Sequence, residues 1–454
     1  MPIQTKNPYT EKVEKVFKAL DHKQINTGVK KAEKAYELWR EIPLKKRVQY
    51  VKNIAKVLRK NKEEYAKIVT MEVGKPISQS ISEIEKSAWN AEYIAEHGPR
   101  FLADEHIQTE AKESFIRYEP LGIVLAVMPW NFPMWQVFRF AALALLSGNA
   151  CILKHASNVP QTAQLIEKII LEAGIPKDVF QSLFIESRDI EEVIKHDSVQ
   201  MVILTGSEKA GSEVAALAGK YITKSVLELG GADPFIILKD ADLEKAVKEG
   251  VKARMNNAGQ VCNSPKRFII EEKVYDKVQE LFIRELDMIK VGNPMERDTT
   301  LGPVAREDIR EELDDQIKRS VKKGAKLIRG GKKIPGTGYF YEPTLLGNVT
   351  KNNPAFIEEI FGPVVTLIKA KDWKDALILA NDHVYGLGGA VWTKNMKVAR
   401  QIADKLIVGT SVINGTVSSD PRLPFGGSKR SGYGREMSSH GIREFTNIKT
   451  IVVR

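Results

Sequence analysis

From residue 121 onward the chain alternates short apolar runs with stretches of helical period, and no other feature restricts its fold as tightly. The runs Leu121 to Met128, Ala150 to Lys154, Phe180 to Ile185, Met201 to Thr205 and Pro234 to Leu238 read as strands, apolar along their length rather than at every second place. Gln161 to Ala173, Arg188 to His196 and Lys209 to Ala218 lie between them with helical spacing. A strand with no polar side has no face turned to water, and parallel strands need helical crossovers. The alternation therefore predicts a parallel sheet covered by helices on both faces. After Gly230 and Gly231 a second series follows: helix Leu243 to Met255, strand Arg267 to Ile270, helices Val274 to Ile289 and Glu307 to Lys322. Strands near Val364 to Ala370, Gly389 to Thr393 and Val408 to Asn414 complete it. The expected class is α/β, with two doubly wound domains.

Before this region, apolar residues at three and four spacing (Val48, Val51, Ile54, Val57, Leu58) predict that Lys12 to Lys75 is helical. At the other end Thr450 to Arg454 reads as a strand with nothing after it to cover it, the kind of edge that pairs with a neighbouring subunit.

A chain of 454 residues has room for two or three domains. Its 69 Lys and Arg against 58 Asp and Glu leave a net charge of +11, but the signs are interspersed. The lysine pairs Lys322–Lys323 and Lys332–Lys333 sit near turn residues, so no one-sided basic face for nucleic acid is expected. Two cysteines, Cys151 and Cys262, cannot build a disulfide framework, and Met1 to Thr10 is polar and proline-broken rather than a leader. The expected compartment is a reducing cytoplasm. Apolar runs such as Leu121 to Met128 fall far short of the roughly 20 residues a bilayer requires, so no membrane span is expected. None of the seven histidines has metal-ligand spacing, and no metal is expected.

Chemistry concentrates in four places. Cys262 lies in the small, polar stretch Asn257 to Asn263, between a helical pattern and a strand, as a nucleophile would, whereas Cys151 sits inside an apolar run and reads as structural. Glu228 stands between leucines at a strand end, where burial would raise its pKa into the range of a general base; a salt-bridged glutamate is the alternative. The Thr205 to Gly211 turn puts small residues before a helix, where free amides favour phosphate, although such turns also serve simply to start helices. Pro129-Trp130-Asn131-Phe132-Pro133 holds an amide on a path stiffened by two prolines, either to donate to an oxyanion or to cap a helix opened by Pro133. No G-x-G-x-x-G or P-loop motif occurs.

Taken in chain order, these strings resemble the NAD(P)-dependent aldehyde dehydrogenase superfamily over nearly the whole chain, most nearly its succinate semialdehyde dehydrogenases. The matching segments are Pro129 to Pro133, Lys154 to Ser157, Leu204 to Ser207, Glu228 to Gly231, Gly259 to Cys262, Glu358 to Pro363, and Pro424 to Lys429 with Gly434 to Glu436. The resemblance implies two Rossmann-like domains and a small β element for oligomerisation: residues 1–101 and 121–229 for the cofactor, 230–436 for catalysis, 102–120 and 437–454 for assembly into a homodimer or homotetramer. It implies Cys262 as nucleophile, Asn131 as oxyanion donor and Glu228 as the base that hydrolyses a thioester, hence a free acid as product. Cofactor contacts would fall to Trp130, Asn131, Lys154, His155, Ala156, Ser157, Gly206, Ser207, Leu229, Glu359 and Phe361. NAD-selective members carry glutamate where this chain has Ser157; without that charge a 2′-phosphate is not repelled, which favours NADP over NAD. Arg139 and Ser419, the latter next to Ser418, would hold a substrate carboxylate, pointing to succinate semialdehyde. A dehydrogenase of a neutral aldehyde such as lactaldehyde or glyceraldehyde is one alternative, and a non-catalytic binding or structural protein on this fold is another.

Overall fold

The computed structural model describes residues 2–454 and contains two large, mainly parallel sheets. In the first the strand order is Gly432–Tyr433, Lys224–Glu228, Val199–Thr205, Ile123–Met128, Ala150–His155, Phe180–Ser182. All neighbours are parallel except the short Gly432–Tyr433 edge. Alternate residues of the central strands feed two separate cores, which is why the runs are apolar throughout. Val124, Ala126, Cys151, Leu153, Met201 and Ile203 pack with the helices Leu44–Lys60, Ile77–Phe101, Trp135–Leu146 and Pro160–Glu172. Leu125, Ile152, Val202 and Leu204 face the opposite way, toward His22–Arg40, Ile190–Ile194 and Glu208–Lys220. Strand order reverses between Ile123–Met128 and Val199–Thr205, and in doubly wound sheets the crevice at such a reversal, outside the carboxyl ends, is the ligand position.

The second sheet runs Lys326–Arg329, Thr344–Gly347, Val364–Ala370, Pro265–Glu271, Asp233–Ile237, Gly388–Trp392, Thr410–Ile413, parallel but for its first pair. It too is cored on both faces. A third sheet is antiparallel: Thr446–Val453 pairs residue for residue with Glu113–Pro120, which pairs on its other edge with Glu105–His106. The terminal strand is thus longer than its Thr450 to Arg454 core and is partnered within the chain on one edge.

Three local expectations change. The helix predicted from Lys12 starts only at His22, with Asp21 and Gln24 forming a capping box. Val13–Val16 is instead a strand against Gln4–Lys6, because two exposed valines in a four-residue stretch have no apolar face to bury as a helix. Phe180 to Ile185 keeps strand pairing only to Ser182, and Arg188 to His196 divides into the turn Ser187–Asp189 and the short helix Ile190–Ile194. Unforeseen elements are the helices Trp373–Asn381 and Met396–Lys405 and the edge pair Lys326–Arg329 and Thr344–Gly347. Among the described residues no helix is long and apolar enough to cross a membrane, and no group of His, Cys, Asp and Glu is placed to hold a metal ion.

Candidate active site

The carboxyl ends of the first sheet face the loop that enters the second sheet's strand Pro265–Glu271. In that loop Asn257, Ala258 and Gly259 all take left-handed backbone angles, with φ of 49°, 51° and 76°. Such angles cost free energy outside glycine, so the surroundings must impose them. At Gly259 a side chain has no room, since a Cβ would strike the Gly362 carbonyl. Asn257 Nδ2 donates to the Asn131 carbonyl at 2.9 Å, and Gln260 Nε2 donates to the Asn257 carbonyl at 2.9 Å.

Arg254, fully buried, secures the same turn from below. Its guanidinium donates to Gly259 O (2.9 Å) and Ser264 Oγ (2.8 Å) on the cysteine side, and to the carbonyls of Ile360 (2.7 Å), Gly362 (2.6 Å) and Val364 (2.7 Å) on the other. One side chain therefore joins the loop of Cys262 to the loop of Glu359 and Phe361. Sequence reasoning missed it, although a signal existed: Arg254 continues the inward-facing series Val247, Gly250, Val251 of its helix.

Cys262 emerges half-buried against the apolar cluster of Trp135, Leu387, Phe425 and Met437, on which Phe132 also packs. Burial pushes its thiol up to about 12, and the Lys266 ammonium opposes that rise. Lys266, also missed, donates to the carbonyls of Cys262 (2.6 Å) and Val261 (3.0 Å) and pairs with Glu359 at 3.1 Å.

Asn131 follows the strand Ile123–Met128 of the other sheet, yet its Nδ2 donates to Gln260 O at 2.9 Å while its Oδ1 accepts from Gln136 Nε2 at 3.0 Å. These bonds orient the amide and leave its second N–H uncommitted. Asn131 does not cap the following helix, which begins at Trp135. The free amides of Met134 and Trp135 are taken instead by Glu83 Oε1, at 2.8 and 3.0 Å. Glu83 is itself held by a buried ion pair with Lys75, whose ammonium stands 3.8 Å from the Phe132 ring centre.

Glu228 ends the strand Lys224–Glu228, and its buried Oε1 has no hydrogen-bond partner among the described residues. Burial raises its pKa to about 8; Arg139 opposes the shift and Glu436 adds to it. Glu436 is raised as well, again by burial. Arg139 forms an ion pair with Glu436, donates to Thr205 Oγ1 at 3.2 Å and lies 5.2 Å from the Phe425 ring centre. The guanidinium expected to clamp a substrate carboxylate thus already has a carboxylate from its own chain, without which Glu436 would be a buried, unpaired charge. Ser419 Oγ accepts a hydrogen bond from Lys86 at 2.8 Å.

The cofactor candidates divide into two groups. Lys154 is buried, and burial alone lowers its pKa, with no carboxylate acting on it. Gly206 and Ser207 open the 13-residue helix Glu208–Lys220, Ser207 as its N-cap with Oγ accepting from Ala210 N at 3.3 Å. Trp130 and Phe361 meet edge to face at 5.9 Å. Ala156 packs against the core beside Ser157, while Leu229 is buried with its amide on Ser431 O. A desolvated cation without an anion, first-turn amides and an aromatic pair around one crevice suit an anionic dinucleotide. His155 does not belong there. Its Nε2 donates to the Pro133 carbonyl at 3.0 Å, its Nδ1 accepts from the Ala156 amide at 3.0 Å, and burial holds its pKa at about 4. A neutral histidine so engaged braces the Asn131 loop instead of contacting a phosphate.

The aldehyde dehydrogenase family's sequence profile matches residues 1–451. The chain belongs to the aldehyde dehydrogenase family. Succinate semialdehyde dehydrogenase (NAD(P)+) of Escherichia coli is 44% identical to this aldehyde dehydrogenase over 445 residues, 98% of this chain and 96% of the relative. Succinate-semialdehyde dehydrogenase (NADP+) 1 of Mycobacterium tuberculosis is 40% identical over 454 residues, 99% of each. The crystal structure of succinic semialdehyde dehydrogenase from Streptococcus pyogenes in complex with NADP+ superposes with a TM-score of 0.97 at 39% identity, covering 99% of both chains.

Proposed function

We propose that this aldehyde dehydrogenase oxidises succinate semialdehyde to succinate with NADP, through covalent catalysis at Cys262. The observation that carries the reading is the convergence of a thiol, an oriented amide and a buried carboxylate on one crevice: Cys262, Asn131 and Glu228. Cys262 Sγ, as the thiolate left when its proton is lost, adds to the aldehyde carbon, and the carbonyl oxygen, as it gains charge, receives the second N–H of Asn131. Loss of hydride from the thiohemiacetal leaves a thioester on Cys262, and a nicotinamide held beside Glu359 and Phe361 would supply the hydride-accepting chemistry. Glu228, raised by burial, takes a proton from water as that water attacks the thioester, releasing the acid and the thiol.

Lys154, Ser157 and the turn of Gly206 and Ser207 at the start of the Glu208–Lys220 helix would hold the dinucleotide's ribose and phosphates, Glu359 its nicotinamide ribose, with Phe361 against the nicotinamide. Serine at position 157 places no negative charge against a 2′-phosphate. The NADP-dependent relatives and the NADP+ complex of the Streptococcus pyogenes enzyme support this choice. The test is the initial rate of nicotinamide reduction with succinate semialdehyde and with butanal, each with NADP and NAD. A higher kcat/KM for succinate semialdehyde and for NADP is expected, and equal values for the two aldehydes would favour a neutral substrate.

The segment divisions 1–101 with 121–229, and 230–436, are proposed as cofactor and catalytic units of a cytoplasmic enzyme, and the antiparallel sheet as its assembly element. Ile448, Val452 and Val453 are exposed along the outer strand Thr446–Val453, which supports pairing with a second copy. Light scattering should give a dimer or tetramer, and a monomer would overturn the assignment.

A further inference from the structure

We infer that Lys86, acting with Ser419, receives the distal carboxylate of the aldehyde and so determines the preference for an anionic substrate. The inference rests on the substrate reading above and deepens it.

Lys86 projects from the helix Ile77–Phe101 one turn beyond Glu83, the residue that fixes the start of the Trp135–Leu146 helix. Its Nζ donates to Ser419 Oγ at 2.8 Å and stands 4.5 Å from the Trp135 ring centre. Trp135 belongs to the apolar cluster against which Cys262 packs, so the ammonium and the thiol border one cluster. Cys262 and Arg139 are near enough to act on Lys86 electrostatically.

What distinguishes this cation is that its anionic neighbours are committed elsewhere. Glu83 is paired with Lys75, Asp420 with Arg422 at 2.6 Å, and Glu85 with Arg59 at 2.5 Å. Arg139, the other cation in reach, is matched by Glu436. Lys86 forms no ion pair among the described residues, and desolvation pulls its pKa down to about 8. An ammonium has three N–H donors, and only one of these goes to Ser419. A carboxylate would supply the missing counter-charge, accept from Lys86, and accept from the Ser419 hydroxyl. Phe132, Trp135 and Phe425 line the space around Cys262 with apolar surface suited to the intervening methylenes. The ligand class is therefore a short, unbranched aldehyde with a terminal carboxylate.

The experiment compares wild-type protein, Lys86→Met and Lys86→Arg with succinate semialdehyde and with butanal, which has the same four-carbon chain and no charge. Losing a charge-assisted hydrogen bond should raise the ratio of KM for succinate semialdehyde to KM for butanal by about 10-fold to 100-fold in Lys86→Met. Lys86→Arg should recover most of that ratio, because the charge returns. If Lys86→Met loses activity equally on both aldehydes, or keeps the wild-type ratio, the role of Lys86 is overturned while the substrate reading stands. If the wild-type protein itself fails to prefer succinate semialdehyde, the substrate reading falls first and the inference with it.

Discussion

Arg139 and Glu436 form an ion pair from which solvent is excluded, and Glu228 feels both charges. The carboxylate of Glu436 pushes the Glu228 pKa up and the guanidinium of Arg139 pulls it down, on top of a larger rise from burial. Glu228 must be deprotonated to take a proton from water, so thioester hydrolysis gains rate as pH rises through about 8 and loses it below. Removing the cation in Arg139→Met should move that midpoint up. Removing the anion in Glu436→Gln should move it down, since it also leaves Arg139 unopposed. The pH dependence of kcat under conditions where hydrolysis limits turnover reads both shifts, and displacement of the two variants in the same direction would contradict this arrangement.

The thiol of Cys262 should alkylate slowly at neutral pH, because burial holds its pKa near 12. The rate with iodoacetamide should climb about tenfold per pH unit well below that value, as the thiolate fraction does. Lys266→Met takes away the cation that favours the thiolate and should slow alkylation several-fold at a given pH; alkylation at the wild-type rate would show that Lys266 acts only on the backbone carbonyls. Cys262→Ala should lower dehydrogenase turnover by about 1000-fold or more.

Arg254→Met removes five buried hydrogen bonds at once. At about 1 kcal/mol for each, the variant should lose about 5 kcal/mol of stability, visible as a lowered urea midpoint. Arg254→Lys should recover less than half, since one ammonium cannot reach acceptors on two loops. A midpoint within error of wild type would mean that the two loops hold each other without it.

Ser157→Glu introduces a charge that accepts a ribose hydroxyl and repels a 2′-phosphate. The ratio of kcat/KM with NADP to that with NAD should fall by roughly 100-fold, the scale of a like-charge contact. An unchanged ratio would locate cofactor discrimination away from residue 157.

How much of this was legible in the sequence depended on how local each feature is. The run Ile123 to Met128 announces a doubly covered strand because each of its residues feeds one of two cores, and the helices Leu243–Met255 and Glu307–Lys322 end where their periodicity ends. Val13–Val16 was not legible, since it is a strand only by virtue of Gln4–Lys6 beside it. The cysteine, the glutamate and the amide stood out because each is an odd residue in its surroundings. Arg139 was placed on the right helix but without its partner, because nothing local to residue 139 points to Glu436. Lys75, in the link between the helices Lys62–Val73 and Ile77–Phe101, and Lys86, on the second of them, look like solvated positions, and only packing against Phe132 and Trp135 takes their ammonium groups out of water. His155 is illegible for the same reason: the carbonyl that its Nε2 meets, that of Pro133, comes from the loop beyond another strand.

The strand Thr446–Val453 closes on Glu113–Pro120 across most of the chain's length. During synthesis, Glu113–Pro120 leaves the ribosome more than three hundred residues before its mate, and for that interval it presents an unpaired edge. Glu436, the counter-charge of Arg139, emerges in the same late portion. A nascent chain can therefore build the first sheet's central strands early, yet the charge pattern around Glu228 is completed only after Glu436 has emerged, so catalytic competence waits on a segment about three hundred residues beyond Arg139.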